Sequence, residues 1–160
     1  ETFADRAGGW LGLMAQATDL HPITRACMGF HLWSLAGLGQ QGERMEAAVT
    51  AARIVASEGR GAVFAPLAMG GAVGLRAGGP PADRLARWLD GVETASQTAM
   101  RHLDDIEAWS VRTDAAMTKL SGKTPRALRA VLTEWPLVSA AMGEALTGAS
   151  RAAIQRNDTR

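Results

Sequence analysis

The chain has 160 residues, 47% of them hydrophobic and 21% charged, which fits one globular domain, with or without a small appendage, and excludes disordered, collagen-like and disulfide-scaffold classes. Lys and Arg number 17 against 16 Asp and Glu, a formal charge of +1, so no overall pull toward nucleic acid or an anionic membrane exists and any such contact must come from a local patch. No run approaches the roughly 18 apolar residues of a membrane span, aromatic residues make up 5%, Tyr is absent and 31 residues are Ala, so an all-α multi-helix bundle is the first expectation.

A first helix is predicted over Phe3–Ala17, where Phe3, Ala7, Trp10, Leu11, Met14 and Ala17 recur at three- and four-residue steps and make one buried stripe despite Gly8, Gly9 and Gly12. Asp19-Leu20-His21-Pro22 then reads as a helix start, because a proline in the first turn has no amide to waste. Ile23, Ala26, Cys27, Phe30, Trp33 and Leu38 carry the period onward until Gly37, Gly39 and Gly42 break it. A third helix is expected from Glu43 to Ala56, burying Met45, Ala48, Ala52 and Val55, with small residues between them that let neighbouring helices approach. These three helices make one tight bundle.

Between Glu58 and Pro81 lie Gly59, Gly61, Gly70, Gly71, Gly74, Gly78, Gly79, Pro66 and Pro80, a density of punctuation that no long helix tolerates. The apolar stretches Ala62–Leu67 and Ala72–Leu75 make it a packed connection with short helical turns, and the place for a ligand-facing loop. From Ala82 the residues Leu85, Leu89, Val92, Ser96, Ala99, Leu103, Ile106, Ser110, Thr113, Met117 and Leu120 alternate steps of four and three. That predicts one long helix or two nearly collinear ones, packed in the bundle rather than standing free because the seam weakens at Ser96, Ser110 and Thr113. Gly122 is a stop, Thr124-Pro125 caps and opens a helix carrying Leu128, Val131, Leu132 and Trp135, and Pro136 ends it.

Ser139 can cap a short helix burying Ala141, Met142 and Ala145 or Leu146, Thr147-Gly148 supplies a tight turn, and Ser150 caps a second helix burying Ala153 and Ile154. Two short helices joined at a glycine form a helix-turn-helix, and the outer face of the second would present Arg151, Gln155, Arg156 and Asn157, which can reach base edges and phosphates.

The segment Ala-Leu-Thr-Gly-Ala-Ser-Arg-Ala-Ala-Ile-Gln-Arg-Asn from Ala145, preceded by Trp-Pro-Leu-Val-Ser-Ala-Ala-Met from Trp135, resembles the winged helix-turn-helix that closes many bacterial Fic-type proteins. It also resembles a family of uncharacterised alphaproteobacterial proteins with a C-terminal helix-turn-helix DNA-binding domain. In the latter family the upstream layout is similar, here a Gly- and Arg-containing connection, Asp83-Arg84-Leu85-Ala86-Arg87-Trp88-Leu89-Asp90 and a long helix with an acidic cluster. The resemblance implies a DNA-binding regulator. It also implies a wing that the chain, stopping at Arg160 after Asn157-Asp158-Thr159, does not reach, so the helix-turn-helix is expected to be truncated. The Fic signature, a His-Pro-Phe run followed by Gly-Asn-Gly-Arg, is absent: His21-Pro22 stands alone, and Glu58-Gly59-Arg60-Gly61 does not supply the second half. No nucleotidyl-transfer activity is therefore carried over.

Other candidate chemistry is weaker. Cys27 and His31 share a helix face, with His21 near the same end, but a fourth metal ligand is missing, and a buried thiol beside a structural histidine is the simpler expectation. His102, Asp104, Asp105 and Glu107 could pair an imidazole with a carboxylate, yet no nucleophile is placed beside them and a solvated charged face is expected. Gly70-Gly71-Ala72-Val73-Gly74 has neither Rossmann nor P-loop spacing. Trp10, Trp33, Trp88, Trp109 and Trp135 fall on or beside apolar stripes and are expected in the core, with Trp88 and Trp109 as alternatives at an interface. The arginine-rich basic set, with Lys119 and Lys123 the only lysines, carries little functional information.

Together these readings predict an all-α protein: a helical bundle over residues 1–122 for ligand binding, partner binding or dimerisation, and a C-terminal truncated helix-turn-helix over 123–160. The expected function is a DNA-binding transcriptional regulator, with Ser150, Arg151, Gln155, Arg156 and Asn157 on double-stranded DNA and a homodimer or protein partner. The alternative is a helical interaction module, a partner or regulatory subunit in a plasmid-borne or toxin-related system; an enzyme ranks third. No metal, cofactor or membrane is expected. The lone Cys27 suits a reducing cytoplasm, and a start at Glu1 without Met or leader suggests a fragment or processed chain.

Overall fold

A computed structural model of the chain describes residues 2–40, 42–57, 59, 61–118, 120, 122–135 and 137–158, with side chains through Ile154. The described residues are all-helical, with no strand: α1 Phe3–Gln16, α2 Pro22–Leu35, α3 Met45–Ala56, α4 Pro81–Met117, α5 Thr124–Glu134, α6 Ala140–Thr147 and α7 Arg151–Asp158, with a 3-10 turn at Leu67–Gly70. Contacts group the chain into two compact units, Glu1–Met100 and Arg101–Arg160, so α4 contributes to both; α4 ends at Met117, five residues before Gly122.

In the first unit, α1 starts at a reciprocal cap. The Asp5 amide donates to Thr2 Oγ1 (3.2 Å) and the Thr2 amide donates to Asp5 Oδ2 (2.9 Å), which satisfies two amides the helix itself cannot. The α1 stripe is narrower than expected. Trp10 and Ala17 are buried while Phe3 and Leu11 are exposed, because α1 packs chiefly on α2 and offers it one edge. Trp10 Nε1 donates to Gly29 O at 3.1 Å and the ring meets Trp33 edge-on at 5.3 Å.

Helices α2 and α3 form the closest pair, through Ala26 and Gly29 on one side and Ala47, Ala51 and Ala52 on the other. Here the structure corrects the sequence reading: the buried face of α3 centres on Ala47 and Ala51, and Met45 is 68% exposed. Small side chains allow the axes to approach, and that contact outweighs burying one methionine. Phe30 and Trp88 pack at 5.6 Å in the centre, and Trp88 Nε1 donates to Ile23 O at 2.9 Å, so the largest fully buried side chain keeps its polar atom satisfied. The connection is tied down where the Ala65 amide donates to Ala52 O (3.0 Å) and Leu67 enters the core. Its glycines have a steric reason: a Cβ on Gly70 would lie 2.1 Å from Gly91 O of α4, and one on Gly74 3.1 Å from Gly91 Cα. Backbone against backbone at that distance requires glycine.

The predicted α4 seam is interrupted in its middle and resumes near its end, where Ser110, Thr113 and Met117 are half-buried. Leu85, Val92 and Ala95 join the core or its edge, but every residue from Arg101 to Ala108 is exposed, Leu103 by 64%. The expected bundle packing of this helix is interrupted over that stretch.

In the second unit α5, α6 and α7 pack on one another in all three pairings. Pro125 occupies the first turn of α5 but Thr124 is not its side-chain cap, since the N-cap position falls on Lys123 without such a bond. Ser139 caps α6 as expected, its Oγ accepting from the Met142 amide at 3.2 Å. The inward face of α6 differs from the expected one: Gly143 is buried and Ala140 and Thr147 half-buried, while Ala141, Met142, Ala145 and Leu146 are exposed. Trp135, expected in the core, is 48% exposed. Pro136, expected to end α5, and Thr159-Arg160 lie outside the described residues.

Candidate functional site

The α6–α7 corner is built from local hydrogen bonding. Thr147 Oγ1 donates back to Gly143 O (2.6 Å) and accepts from the Ala149 amide (3.2 Å), and the Gly148 amide donates to Glu144 O (3.0 Å). Gly148 adopts φ 67°, ψ 8°, a left-handed conformation that ends one helix and turns the chain for the next. Ser150 O accepts from the Ala153 and Ile154 amides at 2.9 and 3.1 Å, opening α7.

The two helices meet where α6 has no side chain. A Cβ on Gly143 would lie 3.1 Å from Ile154 Cδ1 and 3.7 Å from Leu128 Cδ1, so Ile154 of α7 fills the space against α6 and α5 and is itself buried. With Ile154 turned inward, Ser150 and Arg151 at the start of α7 are exposed. The backbone carries Gln155, Arg156 and Asn157 along the same helix; their side chains lie outside the described residues. Arg129 of α5 is committed within its unit, to Ser110 Oγ and to Asp114 Oδ2 (2.9 Å). A helix N-terminus carrying an exposed Arg attracts anions both through its amides and through its side chain.

The weaker candidates are resolved differently. Among the described residues no group of three His, Cys, Asp or Glu side chains is placed to hold a metal. Cys27 is buried, which pushes its thiol up to about 11. His31 packs edge-on against Phe30 at 5.1 Å, and burial followed by the charges of Arg84, Arg44 and Arg87 holds its imidazole below the ordinary value. His102, Asp104, Asp105 and Glu107 sit on the exposed stretch of α4.

The sequence reading missed one constellation. Arg44 at the start of α3, Arg76 in the connection and Arg87 of α4 line one concavity of about 370 Å³. The only hint in the sequence is that Arg76 and Arg87 flank Gly78-Gly79-Pro80-Pro81. Compared with known proteins, the chain matches no protein-family model, no curated protein and no solved structure. No helix among the described residues is long and apolar enough to cross a membrane.

Proposed function

We propose that residues 124–158 act as a helix-turn-helix reader of double-stranded DNA, with α7 as the recognition helix. The observation that carries this reading is the turn at left-handed Gly148, which seats Ile154 against Gly143 and leaves Ser150 and Arg151 exposed at the start of α7. In such an arrangement the N-terminal residues of the second helix face base edges while the first helix crosses the backbone. In this reading Arg151 and Arg156 neutralise phosphates, Gln155 or Asn157 reads base edges, and Ser150 stands at the DNA-facing start of the helix. The DNA-binding unit works as a homodimer that presents two copies of α7 to two half-sites.

The test is a salt titration of binding to a pool of random duplexes, followed by selection of the bound sequences. Wild-type protein is expected to bind with a steep salt dependence, and the Arg151→Ala, Arg156→Ala double variant to lose about two units of the logarithmic slope, close to 0.9 for each lost phosphate contact. No duplex binding at low salt, or a double variant with the wild-type slope, overturns the reading. A second reading, a helical protein-interaction module, is favoured by the apolar residues beside the same corner: Leu137 is 86% exposed, and Trp135, Met142 and Leu146 are exposed with it. A capture that depends on Leu137 and Leu146, with no DNA binding, would establish that alternative.

A further inference from the structure

The first unit contains two concavities that adjoin at Arg44. One, of about 370 Å³, is lined by Arg44, Arg76 and Arg87 with the backbone at Ala77 and Gly78. The other, of about 430 Å³, runs between α3 and the connection and is lined by Arg44 and by apolar residues that include Met45, Val49, Phe64 and Leu67. Each is within the range of about 300–1,000 Å³ usual for small-molecule sites. Leu75 lines the apolar cleft and its neighbour Arg76 lines the basic one, so the connection passes from one to the other within a single peptide.

The guanidinium groups are positioned but not neutralised. Arg44 Nη1 donates to Leu75 O at 3.0 Å and Arg87 Nη2 donates to Gly78 O, both backbone carbonyls without formal charge. Among the described residues none of Arg44, Arg76 and Arg87 is paired with a carboxylate. Arg87 Nε is buried without a protein partner, as are both ring nitrogens of nearby His31. Native proteins leave few buried donors unpaired, and those that remain call for a partner. The imidazole of His31 is held below its ordinary value first by burial and then by the charges of Arg84, Arg44 and Arg87. Guanidinium forks held by backbone carbonyls favour an oxyanion that accepts two bonds at once, and an apolar cleft opening beside them favours a hydrocarbon or aromatic body.

We propose that the paired concavities bind a small amphipathic anion, its carboxylate or phosphate head among Arg44, Arg76 and Arg87 and its apolar body in the cleft along α3. The site lies wholly within Glu1–Met100, so it stands whether or not the second unit binds DNA.

The experiment is calorimetric titration of the whole chain with decanoate, decyl phosphate, decanol and inorganic phosphate, each below its aggregation threshold. Saturable one-to-one binding of decanoate or decyl phosphate is expected, with decanol and inorganic phosphate at least about tenfold weaker, since each lacks one half of the recognition. Preference between the two amphiphiles identifies the head group, and either preference supports the proposal. Arg76→Ala removes an exposed guanidinium that makes no side-chain hydrogen bond among the described residues; it is expected to weaken binding about tenfold with an unchanged melting temperature. Val49→Asp places a carboxylate in the apolar cleft and is expected to abolish binding; should that variant fail to fold, Arg76→Ala decides alone. Absence of saturable binding, inorganic phosphate binding as tightly as the amphiphiles, or an Arg76→Ala variant with wild-type affinity overturns the proposal.

Discussion

At the scale of the residue, His31 links burial to a measurable pH dependence. Its folded-state pKa is lowered from 6.5 by burial and then by Arg84, Arg44 and Arg87, so above 6.5 the ring is neutral in folded and unfolded chains alike and the stability is complete. As pH falls below 6.5 the unfolded chain takes up a proton that the folded chain resists, and stability declines until the lower folded pKa is passed. Urea unfolding followed across that window should show the decline in wild type and a flatter profile in His31→Gln; identical profiles would remove His31 as the source. Cys27 illustrates the same physics with opposite charge. Burial raises its thiol to about 11, so a thiol reagent at neutral pH is expected to react at the rate of unfolding rather than at that of an open cysteine. Saturation of the reaction rate with reagent concentration is the diagnostic.

At the scale of the element, several helix ends and turns are legible in the sequence because they depend on single residues, although Thr124 does not cap α5. Pro22, Ser139 and Gly148 each do locally what their chemistry demands. Ser139→Ala removes the bond to the Met142 amide and should cost about 1 kcal/mol. Gly148→Ala forces a side chain into a left-handed position at φ 67° and should cost about 1–2 kcal/mol; circular dichroism melts of both variants measure the loss. Buried faces were less legible. In α3 and α6 the inward positions are Ala47, Ala51, Ala52, Gly143 and Thr147; small residues mark a buried face only weakly, so spacing finds Ala52 but also turns inward Met45, Met142 and Leu146, which face solvent. The arginine constellation was hidden for another reason. Arg44, Arg76 and Arg87 come from three segments, joined by a connection whose path depends on the glycine contact between Gly70, Gly74 and Gly91, and no local rule relates residues so far apart. The candidate DNA-reading corner, by contrast, spans one contiguous stretch, where the turn at Gly148 between two short helices is legible from spacing.

At the scale of the whole molecule, the two units differ in what holds them together. The first contains a contiguous core that runs from Ala26, Cys27 and Phe30 through Ala47 and Ala51 to Leu67 and Trp88. In the second, the buried positions among the described residues are Gly143 and Ile154, and its ion pair, Arg129 with Asp114, is partly solvated and contributes at most about 1 kcal/mol. A unit of that size buries a small fraction of its surface and is marginal on its own. Urea unfolding is therefore expected in two steps, with the amides of α5, α6 and α7 exchanging at lower urea than those of α2 and α3. Trp88→Ala, which empties the centre of the first core, should lower the second step by about 3–5 kcal/mol and leave the first in place. The ligands then act as independent reporters. A duplex that binds α7 should raise only the first step, and an amphipathic anion at Arg44, Arg76 and Arg87 only the second, by about 2.7 kcal/mol at a hundredfold excess over its dissociation constant. A single transition shared by both sets of amides, shifted together by either ligand, would show that the units fold as one and that the long helix α4 transmits the stability of one to the other.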